Sequence, residues 1–291
     1  MVKMSIGAAF SETFGFLKTN WMQMLLWLGG AVVIACLLGW LLLRNAMMTM
    51  MMAQGDPSAA FGAFGSIILF GFIAGTIVYA ASLLIWRTGL VGGEPASDIG
   101  WGLGAGAALM LANFVVQIAL MIVFYIVLFI VGLLALGIFG ASGMSLESFA
   151  TGGASAGLIL FGVIFYVALI VFFLWFFGRL TVAGPVMAVN RSSNPFSAFA
   201  ESWRLTSASQ WTIVGFNFLM ILLFLVFFFI VSMVFGGVAS AMMTPDAGMG
   251  AMIGALIMAL VIYVPVVLVS VSMPAGIYRC IGVQGSPDVF A

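Results

Sequence analysis

The run Leu222-Leu223-Phe224-Leu225-Val226-Phe227-Phe228-Phe229-Ile230-Val231 is apolar at every position. A strand of a membrane barrel would alternate polar and apolar residues over about ten positions, and this run shows no alternation. In hydrocarbon, each backbone N–H and C=O must be satisfied within its own segment or in a closed barrel. An unbroken apolar run of this kind therefore predicts a membrane-spanning α-helix. Working outward, the stretch extends over Trp211–Phe235, longer than the roughly 20 residues a crossing needs. Five more stretches of comparable character follow the same logic: Trp21–Leu43, Phe64–Trp86, Leu109–Phe139, Gly157–Phe177 and Ala251–Met273. The expected fold class is an all-α membrane protein with six transmembrane helices.

Composition agrees. Of 291 residues, 65% are apolar and 5% charged, with eight Lys or Arg against eight Asp or Glu and no histidine. A soluble domain carries about 25% charged residues, and sixteen charges cannot cover a water-facing surface. The absence of a basic excess excludes a nucleic-acid binder. Lack of imidazole excludes a serine–histidine triad and a histidine zinc site. Cys36 and Cys280, the only thiols, lie far apart in the pattern and read as small apolar filler. No cofactor is implied.

The first twenty residues are interrupted by Glu12 and Lys18 and lead into a full-length span, which does not suit a secretory signal. Met4–Asn20 reads instead as a short amphipathic helix at the membrane surface, with Phe10, Phe14 and Leu17 at helical spacing. With six spans, Lys3, Lys18, Arg87, Arg179, Arg191, Arg204 and Arg279 fall on one side and only Arg44 on the other. That bias predicts cytoplasmic N- and C-termini. No charge sits mid-span, where each would cost at least about 2.5–3.5 kcal/mol.

Sliding the chain against itself gives a repeat. Ile85-Trp86-Arg87 with Pro95 matches Ile277-Tyr278-Arg279 with Pro287, and Phe177-Gly178-Arg179 is a looser copy. Entry segments match too: Glu12-Thr13-Phe14 before Trp21, Glu201-Ser202-Trp203 before Trp211, and more weakly Asp98-Ile99-Gly100-Trp101. The chain thus reads as one membrane domain, 1–291, built of three parallel units, 4–94, 95–193 and 194–291. Each unit would be a short interfacial helix followed by two spans and closed by an arginine. Pro95 and Pro195 suit a first helical position, and Asn194 suits an N-cap.

The recurring Arg87, Arg179 and Arg279 can complement helix C-termini and reach lipid phosphates. Brought together by the repetition, they could also bind an anionic headgroup. Glu12 and Glu201 could pair with such arginines, and Arg204 belongs to the same interface. Within the spans, Asn113 and Gln117 share a face, Asn217 lies early in the fifth, and Pro265 is expected to kink the sixth, with Ser270 and Ser272 nearby. These read as interhelical glue or, alternatively, as a polar path. Small residues four apart, Gly71 with Gly75 and Gly250 with Gly254, permit close helix contact. Methionines crowd the outer loops, notably Met47, Met50, Met51, Met242 and Met243. Thioethers suit Cu(I), although methionine also serves as flexible apolar filler. No Walker-type loop and no paired carboxylates on one helix face appear.

The segment Asn194-Pro195-Phe196-Ser197-Ala198-Phe199-Ala200-Glu201-Ser202-Trp203-Arg204-Leu205-Thr206 followed by Trp211, together with Ser11-Glu12-Thr13-Phe14 and the closing aromatic–arginine pairs, resembles the bacterial glycerophosphoryl diester phosphodiesterase membrane domain family and related six-span inner-membrane proteins. The resemblance implies a six-helix inner-membrane protein. It brings over no phosphodiesterase residue, because that chemistry belongs to a separate soluble barrel with histidines that this chain lacks.

The expectation is a non-enzymatic inner-membrane protein that binds or organises lipid or an amphiphile. The alternatives are a small-molecule or ion transporter with a path between the helices, and Cu(I) capture by the outer methionines. The expected partners are membrane lipids, with a second copy of the chain or another membrane protein left open.

Overall fold

A computed structural model describes residues 3–52, 57–141, 156–242 and 249–282. The helices are α1 (Ile6–Met52), α2 (Pro57–Val91), α3 (Ile99–Ala141), α4 (Ala156–Leu180), α5 (Ala183–Asn190), α6 (Pro195–Thr206), α7 (Gln210–Met242) and α8 (Met249–Gly282), and the described residues include no strand. Among the described residues six helical stretches are long and apolar enough to cross a bilayer: Ile6–Arg44, Phe61–Val91, Pro95–Leu134, Leu160–Asn190, Pro195–Gly236 and Ile257–Gly282. Each contains most or all of one expected span. The protein is an all-α, multi-pass membrane protein.

Along these helices large apolar side chains point outward. Leu26, Val33, Leu37 and Trp40 of α1 are more than half exposed, as are Phe229, Met233 and Val234 of α7. Exposed apolar surface on this scale is tolerable only against lipid or a partner.

The chain divides into two compact units, residues 1–110 with 175–291, and residues 111–174. In the smaller unit, Phe124 of α3 meets Phe173 of α4 with ring centroids 6.2 Å apart. In the larger unit, burial concentrates towards the arginine-bearing helix ends. Phe16, Met24, Leu83, Ile85 and Met187 form one core cluster there. Ile213, Phe216, Met220, Val182 and Ile277 form a second.

Interfacial helices differ from the expectation. A separate one precedes only the third pair of spans, where α6 is followed by a single 3₁₀ turn, Ser207–Ser209, and then α7. Before the first pair, α1 runs unbroken from Ile6 into the span. Nothing there stops it: Thr19 and Asn20, residues that often end helices, turn their side chains back to the carbonyls of Gly15 (3.0 Å) and Phe16 (2.9 Å). Before the middle pair only a 3₁₀ turn, Pro95–Asp98, intervenes before α3 begins.

The short helix α5 has no counterpart in the sequence reading. Ala183 to Ala188 are all buried in it, and Gly184 lies so close to Trp86 that a Cβ there would overlap the indole. Helix α8 continues through both Pro265 and Pro274. Helix α6 starts as expected, with Pro195 at its first turn and Asn194 Oδ1 accepting from the N–H of Phe196 (3.1 Å) and Ser197 (3.3 Å).

Candidate functional site

The arginines that close the expected units lie at one end of the larger unit, and each is held at a separate junction. Arg87 sits in the last turns of α2. Its Nε donates to Asp98 Oδ2, its Nη1 donates to the carbonyl of Ala188 (3.0 Å), and its guanidinium lies 5.8 Å from the centre of the Trp101 ring. The same Asp98 receives Arg191 Nη2 at 2.9 Å, so one buried carboxylate ties α2 to the end of α5. Arg191 reaches it from a left-handed backbone (φ 48°), a conformation that costs a non-glycine residue about 1–2 kcal/mol. Its N–H caps α5 on the Met187 carbonyl.

Arg279 closes α8. Its Nη2 donates to the Gly89 carbonyl (2.9 Å), its Nη1 lies 3.8 Å from Glu12 Oε2, and its guanidinium covers the Phe16 ring at 5.0 Å. Beside it Gly276 meets α1 so tightly that a Cβ would fall 2.6 Å from the Thr13 nitrogen.

Arg179 closes α4 and is only 5% exposed. Its guanidinium lies 4.5 Å from the Trp203 ring centre, and Nη1 reaches Gln210 Oε1 at 3.4 Å, at the long end of hydrogen bonding. That same Gln210 oxygen accepts from Trp175 Nε1 at 3.1 Å. The Arg179 carbonyl, one of the four a helix end leaves unpaired, accepts from Ser202 Oγ (2.7 Å) and Thr206 Oγ1 (3.4 Å) of α6.

These junctions share a plan. Arg87 lies on the entry segment that follows it (Trp101), Arg179 on the next (Trp203), and Arg279 returns to the first (Phe16). Stacking a guanidinium on a ring is worth about 0.5–2 kcal/mol, more as water is excluded. The acids are distributed less evenly: Asp98 serves Arg87, Glu12 serves Arg279, and Glu201 pairs at 2.7 Å with exposed Arg204 on its own helix.

The arginines therefore do not meet in one pool; no contact among the described residues joins Arg87, Arg179 or Arg279 directly. From the sequence, Asp98 is read only as part of a weak entry segment and Arg191 only in the charge count, and Gln210 is not read at all. The Asp98–Arg191 contact spans ninety-odd residues and an unforeseen helix, and no local spacing signals it. Of the polar span residues, Asn113 is half-buried and Gln117 exposed in the smaller unit. In the larger unit Asn217 stands near Gly178, and Pro265 is exposed. The side chains of Met47, Met50, Met51 and Met242, and all of Met243, lie outside the described residues. Among the described residues no group of three His, Cys, Asp or Glu could hold a metal.

Between α1, α2 and the start of α3 lies a groove of about 520 Å³. Leu26, Gly30 and Ile34 form one wall, Ile77 and Leu84 another, and Leu103 the third. Ile99, next to Asp98, also lines it, so the groove begins one residue from the Arg87 junction. None of the polar span residues lies on its walls.

Comparison with protein-family models, with curated proteins and with solved structures gives no match.

Proposed function

We propose that this protein is a non-enzymatic, bacterial inner-membrane protein with cytoplasmic termini, which holds a lipid or related amphiphile with its hydrocarbon chain in the α1–α2–α3 groove. The observation that carries the reading is the groove itself. Its volume falls within the roughly 300–1,000 Å³ of small-molecule sites. Its lining is aliphatic apart from Trp27, which suits a hydrocarbon and offers nothing to an ion. At the end where Ile99 lines it, Asp98 and the two arginines supply both signs of charge for a polar head. The resemblance to the phosphodiesterase-associated membrane domain fits the same reading, as a membrane part without that enzyme's catalytic groups.

Native mass spectrometry of the purified chain tests it. The wild type should retain a lipid-sized adduct. Gly30→Leu should lose it, because Gly30 lines the groove and a Cβ there meets no atom within 4 Å, leaving the leucine free to take up groove volume. Gly29→Leu has equal room but lies off the groove lining, and should keep the adduct. Equal retention by all three chains, or none by any, would refute the proposal.

A further inference from the structure

Arg179 differs from its two counterparts in what its nitrogens touch. Arg87 and Arg279 each face a carboxylate, but among the described residues none pairs with Arg179. Its Nη1 is held by Gln210, and one face of the guanidinium is covered by Trp203. The opposite edge is different: Nε is buried without an acceptor, and Nη2 makes no hydrogen bond to the described residues. Nε–H and Nη2–H point the same way, and that edge engages carboxylate or phosphate oxygens through two parallel bonds. A buried cation left without a counter-charge is costly. The residue that could have served, Glu201, is two positions from Trp203 and is turned to Arg204.

We propose that the Nε/Nη2 edge of Arg179 is an anion-binding site for a phosphate group, carried by a lipid headgroup or free in solution. The guanidinium is pre-oriented for it. Trp203 and Gln210 fix its plane, and Ser202 and Thr206 anchor its backbone carbonyl. A phosphate oxygen pair there would supply the negative charge that Asp98 and Glu12 supply at the other two junctions. The site stands apart from the groove and does not rest on its occupancy.

The test is the thermal midpoint of the full chain in a neutral maltoside detergent. Midpoints are followed with added phosphatidylglycerol, with phosphatidylcholine as the uncharged-headgroup comparison, and with inorganic phosphate against chloride at equal ionic strength. Phosphatidylglycerol should raise the wild-type midpoint well beyond phosphatidylcholine. In Arg179→Lys, which keeps the charge but loses the two-pronged edge, half-saturation should need about tenfold more lipid, the loss of one charge-assisted hydrogen bond. Gln210→Glu puts a carboxylate where the amide now touches Nη1. It should raise the midpoint without lipid and remove most of the response. Lys18→Gln, an exposed cation on α1, should respond like wild type, and so should Gly30→Leu, which separates this site from the groove. A response to phosphatidylglycerol alone identifies a lipid headgroup; a response to inorganic phosphate as well identifies a site open to the free ion. No response to either probe, or an undiminished response in both Arg179→Lys and Gln210→Glu, would overturn the proposal.

Discussion

Gly276→Ala probes the contact that closes the third pair of spans onto the first. A Cβ at this position would lie 2.4 Å from Thr13 Oγ1, 2.6 Å from its nitrogen and 2.7 Å from its Cα. Two of those atoms are backbone, so rotating the Thr13 side chain cannot relieve the overlap; α8 and α1 must separate by roughly 0.8 Å to restore ordinary contact. A gap of that size forfeits a quarter to a half of the dispersion energy of the atoms facing it, and overpacking of this kind costs about 1–3 kcal/mol. Alanine returns up to about 1 kcal/mol of helix propensity. The net expectation is a loss of about 1–2 kcal/mol. Gly75→Ala is the internal contrast: the three atoms nearest its Cβ all belong to the Met110 side chain, whose thioether end can move, so its change should stay below about 1 kcal/mol. Unfolding in mixed micelles titrated with a denaturing detergent, followed by tryptophan fluorescence, reads both. A Gly276→Ala chain as stable as wild type would refute the argument that the two backbones touch here.

Asn194→Ala removes the acceptor for two N–H groups at the start of α6 and should cost about 1 kcal/mol in the same assay; an unchanged midpoint would show that α6 is fixed by its packing alone. Asp98→Asn leaves Arg87 and Arg191 facing a neutral amide and should lower the thermal midpoint clearly more than Glu201→Gln, whose partner Arg204 is 70% exposed. Equal effects would place Asp98 among ordinary surface ion pairs.

Helix type and span positions were legible because the membrane leaves few choices: an unbroken apolar run must be a helix, and its length follows from bilayer thickness. The N-cap at Asn194 was legible for a similar reason, since its chemistry is contained in three adjacent residues. Close helix contacts were not. Of the glycines named for their four-residue spacing, Gly71 and Gly250 face open space and Gly75 meets the Met110 side chain, whereas Gly106, four residues after Gly102 and not named, and Gly184 and Gly276 come closest to neighbouring backbone or indole. Whether a glycine faces a neighbour depends on helix rotation, which a nearly uniformly apolar helix does not reveal in its pattern. The aromatic–arginine endings marked Arg87 and Arg279 directly. Glu12, 3.8 Å from Arg279, carried a signal as an acid on an entry segment. Asp98 was missed although it lies only eleven residues beyond Arg87, and Gly89 because it is set against Arg279 by folding across the chain, while α5, short and apolar, carries no periodic signal of its own.

The central claim is that all three arginine junctions lie on one face of the membrane, each closing a pair of spans. Single cysteines at Lys18, Ser97 and Ser193, all exposed near those junctions, and at Arg44, exposed towards the other end of the first span, test it in a chain with Cys36 and Cys280 replaced. In sealed right-side-out vesicles, a membrane-impermeant thiol reagent should label Arg44→Cys and spare the other three until the membrane is opened. Labelling of any one of Lys18→Cys, Ser97→Cys or Ser193→Cys together with Arg44→Cys in intact vesicles would contradict it.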